Sequence, residues 1–320
     1  MHHFDSRAVE KALPYPLLVN ALAEGLQQAI EAPPRSHLTP NHDASCVLIM
    51  PAWRPHQLMG VKLVSVWPGN NARGESAVSG VYVLISCENG HPVAVLDGTA
   101  LTLRRTAAAA ALAARQLARQ GSKTLAILGT GALSVPLAQA HAVVMPFENV
   151  LVWGRQASKA QAVVAQLQQL GIDASVATDL EHTLAQSDVV AAATTATEPF
   201  IRAAWVRPGT HIGLIGAFTA QMAEAEPALM AQAQVFEDSR SAVLEKGGEV
   251  LGNSAGSHGA HRHSGRIGRA GSAAPRPGAT RCKRHHGFQV GGLRLAGSDC
   301  GGACVQHPSL RAEATYTDTV

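Results

Sequence analysis

The chain of 320 residues lacks several things, and each absence narrows what it can be. No cationic segment followed by an apolar stretch opens it, so no secretory signal is expected. No apolar run approaches the roughly 20 residues that a membrane-spanning helix needs. The alanine-rich stretch 106–114 is short and flanked by Arg104, Arg105 and Arg115. We therefore expect a cytoplasmic protein with no membrane contact. Charged residues make up only 15% of the chain against 46% apolar ones, which suits an alanine-rich globular protein with a large core. Cysteine is scarce, with Cys46 and Cys87 in the body and Cys282, Cys300 and Cys304 near the C-terminal end. With His258, His261, His263, His285 and His286 they show no repeated finger spacing, and no metal is expected.

What is present divides into a body and a tail. Residues 1–250 hold 17 Lys/Arg and 20 Asp/Glu, a net charge of −3. Residues 251–320 hold 9 Lys/Arg and 3 Asp/Glu, a net of +6, with 13 of the 30 glycines. Hydrophobic periodicity stops at about Gly252. The tail is basic, but no aromatics are interleaved with its cations, and a nucleic-acid partner is not expected.

The body is organised around Lys123-Thr124-Leu125-Ala126-Ile127-Leu128-Gly129-Thr130-Gly131. A short apolar run bounded by turn residues reads as a buried strand. Gly-x-Gly follows, then an apolar segment, 132–145, long enough for a helix. This order suggests the first turn of a dinucleotide-binding fold, whose glycines admit a pyrophosphate to a helix N-terminus. A third glycine is missing, since Ser134 stands there. A second strand, 149–153, ends at Gly154-Arg155-Gln156-Ala157-Ser158-Lys159, where an NAD site usually places a carboxylate. None is present, while Arg155, Ser158 and Lys159 offer charge and donors, so NADP(H) is expected over NAD(H). Helix and strand then alternate: helices 156–170 and 180–186, strands 174–177, 188–193, 211–215 and 234–236. Thr194-Thr195-Ala196 lies at the carboxyl end of a strand, where open α/β sheets bind ligands.

Before this domain, Ser6 is expected to cap a first helix, and a second runs over 15–32 until Pro33-Pro34. Strands are expected at 45–52, 58–66, 78–87 and 92–96, separated by turn-rich stretches, in a largely antiparallel sheet. A long helix covers 99–119. Three cations are candidates for chemistry. Lys62 lies inside an apolar strand, on one face with Gly60, Val64 and Val66. A lysine there needs an anionic partner or a solvated cleft. Arg105 is read as opening an alanine-rich helix, where its charge opposes the dipole unless an anion binds nearby. Arg35 follows the proline pair. Each of the three also reads as an ordinary surface cation.

Over about residues 5–250 the body resembles the ornithine cyclodeaminase/μ-crystallin family of NAD(P)-dependent oxidoreductases. The resemblance rests on Pro34-Arg35, Met50-Pro51-Ala52, Gly60-Val61-Lys62-Leu63-Val64-Ser65-Val66-Trp67-Pro68-Gly69-Asn70, Leu103-Arg104-Arg105-Thr106-Ala107-Ala108, Gly129-Thr130-Gly131 and Gly209-Thr210-His211-Ile212. It implies that Arg35, Lys62 and Arg105 hold a substrate carboxylate, with Lys62 nearest the reacting nitrogen, and that the chain dimerises through its first domain. Two departures stand out. Leu133-Ser134 replaces the usual Gln-Ala after the glycine turn. Cyclodeaminases carry an Asp in Gly-x-Asp-x-Pro-Gly-Lys, and here Gly216-Ala217-Phe218-Thr219-Ala220-Gln221-Met222 puts Phe218 in its place. Phenylalanine neither accepts a proton nor pairs with an ammonium.

The tail has a further reading. Arg284-His285-His286-Gly287-Phe288-Gln289-Val290-Gly291-Gly292 can be encoded so that, one base later, it reads Asp-Ile-Thr-Val-Phe-Lys-Ser-Val-Gly, similar to the family's C-terminal motif. Residues 252–320 are thus read as frameshifted. The expectation is an α/β protein with an antiparallel α+β substrate and dimerisation domain, 1–118, and a Rossmann NAD(P)-binding domain, 119–251. Its catalytic residue is Lys62, its substrate residues Arg35, Lys62 and Arg105. Its cofactor residues are Gly129, Thr130, Gly131, Ala132, Arg155, Ser158, Lys159, Thr194, Thr195 and Ala196. The expected reaction is reduction of a small cyclic ketimine or imino acid such as Δ1-pyrroline-2-carboxylate, or oxidation of an amino acid. An NADP(H)-binding protein without turnover comes second and ornithine cyclodeamination third.

Overall fold

The computed structural model describes residues 1–41, 45–217, 219, 221–237 and 286–289. Two compact units, Met1–Arg105 and Thr106–Leu293, divide within one long helix.

The first unit opens with β1 (His2–Phe4), α1 (Ser6–Ala12) and α2 (Tyr15–Gly25). Asp5, not Ser6, caps α1: its carboxylate accepts from the Ala8 amide at 2.8 Å, and Ser6 is already helical. Helix α2 stops at Gly25, short of the prolines, where the Gln27 and Gln28 amides turn back to Glu24 and Gly25, and Glu31 then pairs with the backbone of Trp53. Strands β2 (Ser36–Leu38), β3 (Cys46–Trp53), β4 (Leu58–Val66), β5 (Val78–Ser86) and β6 (Pro92–Asp97) follow. The sheet order is β1-β6-β5-β4-β3-β2. Four of its five pairings are antiparallel, in line with the largely antiparallel sheet expected, and β1 joins β6 in parallel. Burial alternates along β4, β5 and β6, with Gly60, Lys62, Tyr82, Leu84, Ala94 and Leu96 inside. Val9 of α1, Leu18 and Leu22 of α2, and Leu13 between the two helices are equally buried.

Helix α3 (Gly98–Leu117) carries a run of buried alanines into the second unit. There β7 (Thr124–Leu128), α4 (Ser134–Ala142), β8 (Asn149–Trp153), α5 (Ala157–Gln169), β9 (Ala174–Ala177), α6 (Leu180–Gln186), β10 (Val189–Ala192) and β11 (His211–Leu214) come in turn. Helix α7 (Pro227–Gln232), β12 (Gln234–Glu237) and β13 (His286–Gln289) complete the described elements. All seven strands run parallel in the order β12-β13-β11-β10-β7-β8-β9. Strands buried on both faces read as continuous apolar runs, as β7, β10 and β11 do. The winding reverses between β7 and β10, and such a switch point opens a crevice at the carboxyl ends of the strands.

Strand β13 was not expected, because its four residues carry no apolar alternation. Apart from them, the tail 252–320 and its frameshift reading lie outside the described residues.

Candidate active site

In the first unit, Lys62 sits in the middle of β4 and is only 7% exposed. Met50 and Tyr82 stand directly opposite it on β3 and β5. Such pairs share one face of a sheet. Two residues earlier, a Cβ on Gly60 would lie 1.7 Å from the Tyr82 hydroxyl, so only glycine lets that ring lie across β4. Arg35 is half-buried and precedes Ser36, which pairs with Ile49. It thus enters the sheet beside the row of Met50, Lys62 and Tyr82.

Arg105 is half-buried too, but it does not open its helix. Helix α3 starts at Gly98, with Asp97 accepting from the Ala100 amide at 2.7 Å. Arg105 therefore does not face the positive end of the helix dipole as expected, because it lies two turns inside. What separates Arg105 from its neighbour is geometry. Arg104 donates through Nε to the Leu13 carbonyl at 2.7 Å and lies 4.2 Å over the Tyr15 ring. Adjacent helical residues point about 100° apart, so Arg105 takes another direction.

In the second unit, Gly129 has φ of 120°, and a Cβ there would come within 2.6 Å of the Ala193 carbonyl. Gly131 is exposed with open space around it. Between them Thr130 packs so near Gly154 that a Cβ on that glycine would lie 2.5 Å from its methyl. Ala132 is exposed before α4, whose N-terminus has no side-chain cap. Ser134 does more than replace the missing glycine. It is buried, and its hydroxyl lies 2.9 Å from the Gly129 carbonyl and 2.8 Å from that of Gly131, closing the turn. A tight turn, an open glycine and uncapped helix amides suit a pyrophosphate.

Arg155, Ser158 and Lys159 are exposed on the turn after β8 and the first turn of α5. Among the described residues neither cation forms an ion pair. After β10, Thr194 and Ala196 are half-buried and Thr195 is exposed. The residue that holds this loop is not one that local sequence patterns single out. Glu224, with no exposure, accepts from the Thr194 amide at 2.7 Å, the Thr194 hydroxyl at 2.8 Å and the Gly216 amide at 2.9 Å. It lies in Ala223-Glu224-Ala225-Glu226, where nothing local sets it apart from Glu226. Phe218 lies outside the described residues.

This fold and this turn define an NAD(P)-dependent oxidoreductase of the Rossmann type. A profile of the ornithine cyclodeaminase/mu-crystallin family matches residues 5–293, and the chain belongs to that family. It is 37% identical over 235 residues to the Delta(1)-pyrroline-2-carboxylate reductase of Paracoccus denitrificans, covering 70% of this chain and 74% of that one. Its fold matches the Thermococcus litoralis Delta(1)-pyrroline-2-carboxylate reductase in complex with NADH and L-proline, with a TM-score of 0.89, 23% identity and 98% of each chain covered. An archaeal alanine dehydrogenase dimer with bound NAD gives 0.87 at 25% identity, covering 98% of this chain and 97% of that one. The iminosuccinate reductase of Paracoccus denitrificans in complex with NAD+ gives 0.85 at 23%, with the same coverage.

These neighbours overturn the expected preference for NADP(H), since all three carry NAD(H). The structure supplies the physical reason. A missing carboxylate removes repulsion toward a 2′-phosphate but builds no site for one, and Arg155, Ser158 and Lys159 stand in solvent.

Proposed function

We propose that this protein reduces a small cyclic ketimine carboxylate of the Δ1-pyrroline-2-carboxylate type with NADH, or runs the reverse oxidation. The observation that carries this reading is the buried Lys62, a charge held at 7% exposure on a rigid strand. An ammonium held in a largely desolvated place attracts an anion more strongly than one in water, and a substrate carboxylate is an anion such a site accommodates. The 37% identity to a Delta(1)-pyrroline-2-carboxylate reductase supports the choice of substrate class.

Gly129, Thr130, Gly131 and Ala132 with the start of α4 would hold the pyrophosphate, and Thr194, Thr195 and Ala196 would line the crevice beside it. When bound, the dinucleotide supplies or accepts the hydride. Reduction turns C=N into CH–NH, with hydride to carbon and a proton to nitrogen. Arg35 and Arg105 clamp the carboxylate, for which a guanidinium fork offers two parallel bonds. Lys62 orients it and donates the proton to nitrogen, a role for which an ammonium on a packed strand is preorganised. Phe218 in place of an acid disfavours ornithine cyclodeamination.

The test is NADH consumption with Δ1-pyrroline-2-carboxylate. Lys62→Met should lower turnover at least a hundredfold, the scale of a lost general acid, while NADH still binds. Ammonia released from ornithine without net NADH consumption would refute the reading. NADH binding with no turnover on any cyclic imine would leave a dinucleotide-binding protein.

We further assign a cytoplasmic homodimer formed through the first unit. Among the described residues no helix is long and apolar enough to cross a membrane. The dimer rests on the face of the first sheet opposite Lys62, where Ile49, Val61, Leu63 and Val83 are half-buried and Val81 is 41% exposed. A contiguous apolar face of this kind marks an association surface. The tail reading is decided by sequencing the gene across codons 252–320.

A further inference from the structure

We propose that Glu224 is a positioning residue for the dinucleotide, setting the shape of the crevice from beneath. The proposal rests on the reading that a dinucleotide occupies the switch point of the second sheet.

Two strand ends meet around this side chain, and a third lies beside them. Strand β10 passes through Ala193 into Thr194, and β11 passes through Ile215 into Gly216. The β7 turn leans on β10, because Gly129 has no room for a Cβ against the Ala193 carbonyl. At Gly216 the approach is closer still. A Cβ there would lie 2.1 Å from the Thr194 carbonyl oxygen and 2.5 Å from the Glu224 carboxylate. Neighbouring strands that converge this far leave amides aimed at one point, and an unpaired buried amide is costly.

Glu224 fills that point. One carboxylate oxygen takes both Thr194 donors, the other takes the Gly216 amide. All three partners donate, so the group must accept on both oxygens, as an ionised carboxylate does and an amide does not. Its own backbone is anchored as well. The Phe200 and Ile201 amides donate to the Glu224 carbonyl at 3.0 and 2.9 Å, the Ala223 amide donates to Ala196, and Glu226 accepts from the Ala203 amide. Thr194 passes the constraint onward, since its hydroxyl also accepts from the Ala196 amide at 3.3 Å. The loop of Thr194, Thr195 and Ala196 is therefore held from below by a buried charge that itself lies out of reach of solvent.

The experiment measures NADH affinity of the full chain by energy transfer from tryptophan, together with thermal midpoints without ligand. Glu224→Gln places an amide NH2 against at least one of the donors and should weaken NADH at least tenfold, with KM for NADH rising and kcat changing less. Thr194→Val removes both hydroxyl bonds, to Glu224 and from the Ala196 amide, keeps the Thr194 amide bond to Glu224, and should weaken NADH a few-fold; Thr194→Ser should restore wild-type affinity. Wild-type affinity in Glu224→Gln, with or without a lowered midpoint, would overturn the proposal. Should that variant not fold, the Thr194 pair decides, and Thr194→Val binding like wild type overturns it. Wild-type protein that binds no NADH would remove the dinucleotide reading itself, and the proposal with it.

Discussion

The two sheets solve burial differently. In the first, burial alternates, with one face under helices and the other half-open. In the second, β10 and β11 are buried along their whole length. An alternating strand can carry a polar residue at every second position, because those side chains are free of the core. A strand buried on both faces carries its chemistry only at its ends. Lys62 in mid-strand is thus the exception in the first sheet. In the second, the residues assigned to the dinucleotide follow the last residues of their strands, as the architecture requires.

Deletion of core volume should show the largest contrast. Ile127, fully buried in β7, should cost about 2–5 kcal/mol when changed to Ala, through lost transfer energy and the cavity left behind. Leu63→Ala, on the half-open face of β4, should change the stability of the chain much less and weaken the dimer instead. Chemical denaturation of both variants, with molecular mass measured in solution, checks this. Equal losses of stability would show that both sheets are buried alike.

Titration sharpens the comparison next. His141 on α4 is buried and sits with Nδ1 2.8 Å from the Leu137 carbonyl, which fixes the neutral tautomer with hydrogen on Nδ1. Burial is the main cause that pushes its pKa down to about 4, opposed by this backbone bond. The unfolded chain binds the proton near pH 6.5, the folded chain only near 4. Stability from the neutral ring is therefore complete above pH 6.5 and is lost as pH falls toward 4, by about 3 kcal/mol. The difference in unfolding free energy between wild type and His141→Leu, followed from pH 7 to 4.5, isolates this contribution from that of the carboxylates. No such slope would mean that the helix layer over the second sheet admits water.

The smallest effect belongs to the opposite end of the second sheet. Asp188 accepts from the Lys123 and Thr124 amides at 2.9 and 3.1 Å, and from Arg119 and Arg207 at 3.0 and 3.2 Å. It ties the amino ends of β7 and β10 as Glu224 ties the carboxyl ends of β10 and β11. Asp188→Asn should cost about 1–2 kcal/mol of stability and leave NADH affinity unchanged, since the crevice lies at the other end of the strands. A weakened affinity would break the distinction between the two carboxylates.

Local pattern was enough for much of this protein. Apolar runs bounded by turn residues located β4, β8, β9 and α6 to the residue, because each is decided by its own periodicity. The Gly129-Thr130-Gly131 turn and the family were also readable, since a motif is a local object. Tertiary structure decided the rest. Strand β1 is three residues long and exists through its pairing with β6. Arg104 and Arg105 are equivalent as letters, and the nearness of Leu13 and Tyr15 decides where the first of them goes. The absent carboxylate after β8 suggested a phosphate site, but a site needs converging partners, and there the chain has exposed ones. Glu224 is thirty residues from Thr194 in sequence, and no local rule links them. What joins them is the convergence of strand ends that a parallel sheet brings together only once it has folded.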